Sequence, residues 1–153
     1  MLTTLSEIEL AFKIGHCNGT MSMQVFVDDV KMSNFDTFNS DSIIVKHQFN
    51  WPATIKIVTS NKDLSCDTLV DNNGNIVADK FIQLTKILVD RVDPGMPFLN
   101  SLILDTGENK INSLYWGFNG IVNLIFDESD SFLWHLKQKI THDNIYVGSS
   151  PKN

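Results

Sequence analysis

Residues Asp67–Val92 read DTLVDNNGNIVADKFIQLTKILVDRV, and two incompatible structures follow from two ways of reading them. Asp71, Asn73 and Asn75 follow the D-x-N-x-N opening of a helical calcium loop. That loop needs glycine at its sixth position and a bidentate glutamate at its twelfth, whereas Gly74 stands at the fourth and no such glutamate follows. A hairpin accounts for the same residues better. Asn73-Gly74 accepts the positive φ values of a tight type I′ reversal, with DTLVD before it and NIVADK after it as strands. Phe81–Val92 then alternates as one long strand, with a bulge expected near Thr85.

The same two-residue period runs outward through the chain. Ile8, Leu10, Phe12 and Ile14 share one face, as do Met21, Met23, Val25 and Val27, with Phe26 opposite. Residues Ser42–Asn50 and Ala53–Ser60 continue it, the second placing Ile55 and Ile57 against Thr54, Lys56 and Val58. Breakers fall between these runs at His16–Thr20, Asp28–Asn34, Asn50–Pro52 and Ser60–Ser65. The segment around Asp93–Pro97 reads as irregular up to Ser101, and Leu114–Asp127 carries the last strand signal, interrupted at Gly117 and Gly120. A single helix is expected at Asp130–Ile140, capped by Asp130 or Ser131, with Trp134 beside its apolar stripe. Eight or more short strands at intervals of roughly ten residues predict a mainly β fold: an antiparallel β-sandwich or jelly roll closed by one short C-terminal helix. Residues 1–141 form the single domain of this reading, and 142–153 a polar tail.

Composition narrows the function classes. Apolar residues make up 42% of the 153, ten of them Phe, which supports an ordinary core. The net charge is −6, from 18 acids and 12 bases with no basic cluster, so nucleic acid is not an expected partner. No run of about 18 apolar residues predicts a membrane helix, and residues 1–15 lack the pattern of a signal peptide. Cys17 and Cys66 lie far apart without metal spacing, which favours free thiols in a reduced compartment and leaves one disulfide open.

Catalytic signatures do not emerge. His16, His47, His135 and His142 show no metal or dyad spacing, and no nucleophile elbow is present, so no enzyme is expected. Aromatic faces are the alternative chemistry. Trp51, Tyr115, Trp116 and Phe118 are the candidate ligand-binding residues, flat rings suited to sugars or to another chain; for Trp116 and Phe118 core packing is an equal reading. Acids near strand ends, Asp63, Asp67, Asp71, Asp79, Asp90 and Asp93 among them, leave a loose calcium site open beside the simpler reading of solvated charge.

Two resemblances sharpen these readings. Ile87–Asp93, Gly117–Phe126 and Phe132–Leu136, in this order after the Asn-Gly hairpin, resemble uncharacterised small proteins of tailed, T4-like marine phages. That likeness implies a virion component, made in the host cytoplasm and assembled with other virion proteins or with itself: a decoration, fibre-associated or tail-associated module. Gly19, Met23, Val27 and Asp28, then Ile57–Asp63, then Ile87–Asp90, are similar to the strand motifs of calcium-dependent xylan-binding jelly rolls. This second likeness implies calcium as the cofactor, Asn61, Asp63 and Asp67 as its ligands, and host-surface glycans as partners. An intracellular effector acting on a host factor is the third class the phage likeness leaves open.

Overall fold

The computed structural model describes residues 5–127. They form two antiparallel sheets stacked face to face, and alternation is the reason. β1 (Leu5–Gly15) buries Ile8, Leu10, Phe12 and Ile14 and turns Glu7, Glu9, Ala11 and Lys13 outward. β2 (Ser22–Val27), β3 (Val30–Phe35), β4 (Ser42–Asn50) and β5 (Ala53–Ser60) follow, then a small hairpin of β6 (Thr68–Val70) and β7 (Ile76–Asp79). β8 (Phe81–Val89) leads into a helical turn, α1 (Met96–Leu99), and then β9 (Leu104–Asp105), β10 (Lys110–Ile111), β11 (Tyr115–Trp116) and β12 (Gly120–Phe126).

The four-stranded layer runs β11-β8-β1-β4, the six-stranded layer β10-β9-β12-β5-β2-β3, and β6-β7 stands apart as a ribbon. Isoleucines of β5 and β12's Val122 and Leu124 meet the inward residues of β1 and β8 across the core. At one end Phe126 brings the layers together, with ring centroids 4.9 Å from Phe49, 5.4 Å from Phe98 and 5.5 Å from Trp51. Toward the other end Phe12 and Trp116 lie 6.1 Å apart.

The bulge expected at Thr85 is present. The register against β1 passes from Ala11↔Lys86 to Phe12↔Leu84, leaving Thr85 unpaired in the ladder, with its Oγ1 donating to the Ala11 carbonyl at 3.1 Å. The extra residue switches the buried parity of β8 from Ile82 and Leu84 to Ile87 and Val89.

Several expectations are corrected. The Asn-Gly reversal is a hairpin, but not a two-residue type I′ turn. Gly74 N donates to Asp71 O, Asp71 N donates to Asn75 O, and among 72–74 only Gly74 has positive φ, at 84°, the pattern of a three-residue loop closed by a left-handed glycine. Type I′ geometry occurs instead at Asp28-Asp29 (φ 48° and 67°) and at Asp90-Arg91 (φ 49° and 68°). In each, the first aspartate replaces a ladder carbonyl with its carboxylate: Thr54 N donates to Asp28 Oδ1 at 2.9 Å, and Glu7 N to Asp90 Oδ1 at 2.8 Å. These bonds to a neighbouring strand offset the strain of a non-glycine residue at positive φ, a conformation that Asp tolerates better than most residues. Consequently the strand from Phe81 ends at Val89 rather than Val92, and the Asp28–Asn34 breaker holds most of β3. β3 was missed because it lies at the sheet edge with no buried face, its Val30 and Met32 exposed among polar residues. The Asp93–Ser101 segment holds α1, where Pro97 is tolerated because a first-turn residue needs no N–H partner. The helix expected at 130–140, with Trp134, and the 142–153 tail lie outside the described residues.

Candidate functional site

The end of the sandwich beyond the last residue of β5 gathers four loops. They are the β1–β2 loop with Asn18, the 61–67 segment, the β7–β8 junction at Asp79-Lys80, and the loop between β11 and β12. Asn119 ties the last of these to the second through a reciprocal pair: Lys62 N donates to Asn119 Oδ1 at 2.9 Å, and Asn119 Nδ2 returns to Lys62 O at 3.0 Å.

Two lysines lie inside this junction. Lys62 Nζ is 2.7 Å from Asp79 Oδ1 and donates at 2.7 Å to the Lys80 carbonyl, its side chain only 2% exposed. Lys80 Nζ is 2.9 Å from Asp67 Oδ2 and donates at 3.1 Å to the Asn61 carbonyl, its side chain 6% exposed. Each ammonium thus meets one carboxylate and one main-chain carbonyl, and each carbonyl belongs to the other lysine or to its neighbour. Buried charges are tolerated only when paired and hydrogen-bonded in this way. The pairs pin the β6–β7 ribbon to the sandwich, since Asp67 precedes β6 and Asp79 ends β7.

Acceptor capacity around these carboxylates is heavily used. Asp79 also accepts from Thr68 Oγ1 at 2.6 Å and from the Tyr115 hydroxyl. Burial alone would raise the Asp79 carboxyl, but hydrogen bonds from Lys62, Thr68 and Tyr115 hold it below its ordinary value. Asp67 takes the Asp63 amide at 2.8 Å as well as Lys80, and those two bonds bring its carboxyl down to about 2. The Tyr115 phenol moves the other way, raised by burial and by donating to an ionised Asp79.

The aromatic candidates separate into two groups. Trp51 is buried at the opposite end of β5, its Nε1 donating to Ser6 Oγ at 2.8 Å. Trp116 is fully buried on the inner face of β11, its Nε1 donating to Ser113 O at 2.8 Å. Both are core residues, because a two-residue period turns Trp116 inward as it turns Tyr115 out, and neither ring offers a face to a ligand. Tyr115 and Phe118 are exposed, at 39% and 42%. Tyr115 stacks on Phe81 with centroids 4.5 Å apart, and Phe81 fits there because Gly15 carries no side chain; a Cβ on Gly15 would sit 2.1 Å from the Phe81 ring. The outer aromatic surface therefore rests on a fixed support, and the Asp79 carboxylate fixes the tyrosine's hydroxyl.

Of the expected calcium ligands, Asn61, Asp63 and Asp67 do come together, but as parts of a hydrogen-bonded structure that is already satisfied. Asn61 Nδ2 donates to Thr20 O at 3.2 Å, and its carbonyl holds Lys80. Asp63 Oδ1 accepts from Ser65 N at 2.9 Å and Ser65 Oγ at 2.6 Å, which lower its carboxyl. Asp71 caps its own turn by accepting from Asn73 N and Asn75 N. Among the described residues no three His, Cys, Asp or Glu side chains converge as an ion would require. As placed, Asn61, Asp63 and Asp67 are engaged with the protein's own donors and do not present a calcium cage. Lys62 and Lys80 went unnoticed in the sequence because lysines at strand ends are normally solvated, and the Asp beside each in NKD and ADK is not the one it pairs with, so no local signal marked them. Cys17 and Cys66 are free thiols.

No family model matches the chain, and no curated protein does. Two solved structures are similar. One is the selenomethionine form of vCBM60, described in work on a circular permutation linking two families of calcium-dependent carbohydrate-binding modules. It is 11% identical, with a TM-score of 0.52, covering 78% of this chain and 90% of that one. The other is vCBM60 in complex with galactobiose, 13% identical, with a TM-score of 0.51, covering 78% of this chain and 97% of that one. At such identity the likeness shows the fold alone, an antiparallel β-sandwich.

Proposed function

We propose that this protein is a non-enzymatic carbohydrate-binding module whose ligand stacks on Tyr115 and Phe118. One observation carries the reading: two exposed aromatic rings flank Gly117 at the loop end of the sandwich, one backed by Phe81 and anchored to Asp79. Flat rings fit the apolar faces of pyranose sugars, and a rigid support limits the ordering cost of binding. The similarity to a module solved with galactobiose supports the same class of ligand. A glycan array read with wild type and with Phe118→Ala tests it. Binding by wild type that Phe118→Ala weakens by on the order of ten-fold is expected; silence of wild type across plant, algal and bacterial-surface glycans refutes it.

A second reading, a subunit of a phage particle, draws on the ribbon. Leu69, Val70, Ile76 and Val77 are each about half to two-thirds exposed on an arm outside both sheets. Exposed apolar side chains in such density suit burial against a neighbouring protein. Mass spectrometry of purified virions should then find the chain in many copies; its absence from particles removes this reading.

A further inference from the structure

The fold similarity brings with it calcium-dependent modules, yet the acidic junction of this chain is arranged for a different cation. We propose that Lys62 and Lys80 are resident cations, their ammoniums occupying the oxygen cage that a calcium ion would need, so that the junction is complete without any divalent metal. The proposal concerns the cation alone and holds whether or not the ligand is a glycan.

Three features of the geometry support it. First, the donors are the right kind and are already engaged. Calcium is held by carboxylate and main-chain carbonyl oxygens. Here Asp79 Oδ1 and the Lys80 carbonyl lie 2.7 Å from one ammonium, and Asp67 Oδ2 and the Asn61 carbonyl lie 2.9 and 3.1 Å from the other. Second, charge is balanced. Two ammoniums face two carboxylates with all four side chains nearly excluded from water, so an added divalent ion would leave an uncompensated charge of about two in a buried space. Third, the remaining capacity is taken by the protein itself. Thr68 and Tyr115 complete Asp79, and the Asp63 amide and Asn18 complete Asp67. Of the ionisable neighbours, Asp63 is bonded to Ser65, and Cys66 is a thiol whose pKa burial and the nearby carboxylates raise, which disfavours a thiolate ligand.

Ammonium and calcium are not equivalent occupants. A lysine is tethered, cannot be chelated, and costs no binding entropy in the folded state, so this junction is expected to ignore EDTA. The ammonium also fixes the β6–β7 ribbon and the support beneath Tyr115 at any calcium concentration.

The test has two arms. In the first, purified wild type is stripped with EDTA, then titrated with calcium chloride by calorimetry and melted with and without the ion. Superimposable melting curves and no stoichiometric heat support the proposal; a calcium-dependent rise in melting temperature, or a one-to-one isotherm, overturns it. In the second, Lys62→Met and Lys80→Met keep chain length while removing the charge. Each should lower the melting temperature near pH 7 by on the order of 10 °C, because a carboxylate is left buried and unpaired. That deficit should shrink as pH falls toward about 3, where the orphaned carboxyl takes up a proton. A variant as stable as wild type near pH 7, or a deficit equal at every pH, would show that the ammoniums only fill space. Should a variant fail to fold, the first arm decides alone.

Discussion

Replacing Tyr115 by Phe removes one hydroxyl and leaves the ring in place, which separates what that residue does for the fold from what its face does for a ligand. The lost bond is to Asp79, a carboxylate 9% exposed that keeps Lys62 and Thr68 as partners. Hydrogen bonds to charged groups contribute about 1.5–3 kcal/mol, and the partial exposure of Tyr115 places this one lower, at about 1–2 kcal/mol. For a chain of this size that is a melting-temperature loss of roughly 2–8 °C. The ring keeps its stack on Phe81, so glycan affinity should change little. Phe118→Ala should do the reverse, because its side chain is exposed: stability close to wild type, with affinity down on the order of ten-fold. Differential scanning fluorimetry and calorimetric binding to the best array glycan read the two quantities side by side. If Tyr115→Phe loses affinity as severely as Phe118→Ala while its melting temperature stays put, the hydroxyl contacts the ligand and does not serve as an anchor to Asp79, and the reasoning fails.

Phe126→Ala should destabilise by about 3–5 kcal/mol, measured by urea denaturation, since its ring joins Phe49, Trp51 and Phe98 across the layers. Gly74→Val should cost about 1–3 kcal/mol through its φ of 84° alone, because nothing lies within 4 Å of where a Cβ would stand; Gly74→Asn, which tolerates left-handed backbone, should cost less. Stability measured against pH should follow three groups. The Asp67 carboxyl, at about 2 in the folded chain against about 3.9 unfolded, contributes fully above pH 4 and is lost as pH falls toward 2. His47, lowered by burial, makes stability rise with pH through about 6.5, and Tyr115, raised, makes it fall above about 10. A melting temperature that does not rise between pH 5 and 7 would contradict the His47 sign, one that does not fall between pH 4 and 2 the Asp67 sign, and one that rises above pH 10 the Tyr115 sign.

Alternation made the layers legible. Ile8 to Ile14, Met21 to Val25, Ile55 and Ile57 all point inward as their spacing requires, because side-chain direction in a strand is a local property with a period of two. The Thr85 bulge was readable on the same ground, as the place where the apolar parity of β8 changes. What adjacent residues cannot reveal is which distant side chains share a space. Lys62 meets Asp79 across 17 positions, and Tyr115 meets Asp79 across 36. Both contacts exist only because β5, β7 and β11 end at the same edge of the sandwich. That convergence turned Asn61, Asp63 and Asp67 from expected metal ligands into partners of one another and of a lysine, while the packing of the two layers buried Trp51 at the opposite end and decided Trp116 for the core reading. Burial in a sandwich depends on which layer covers a strand, and a buried charge persists only beside its counter-charge; both are properties of the assembled chain and not of any window along it.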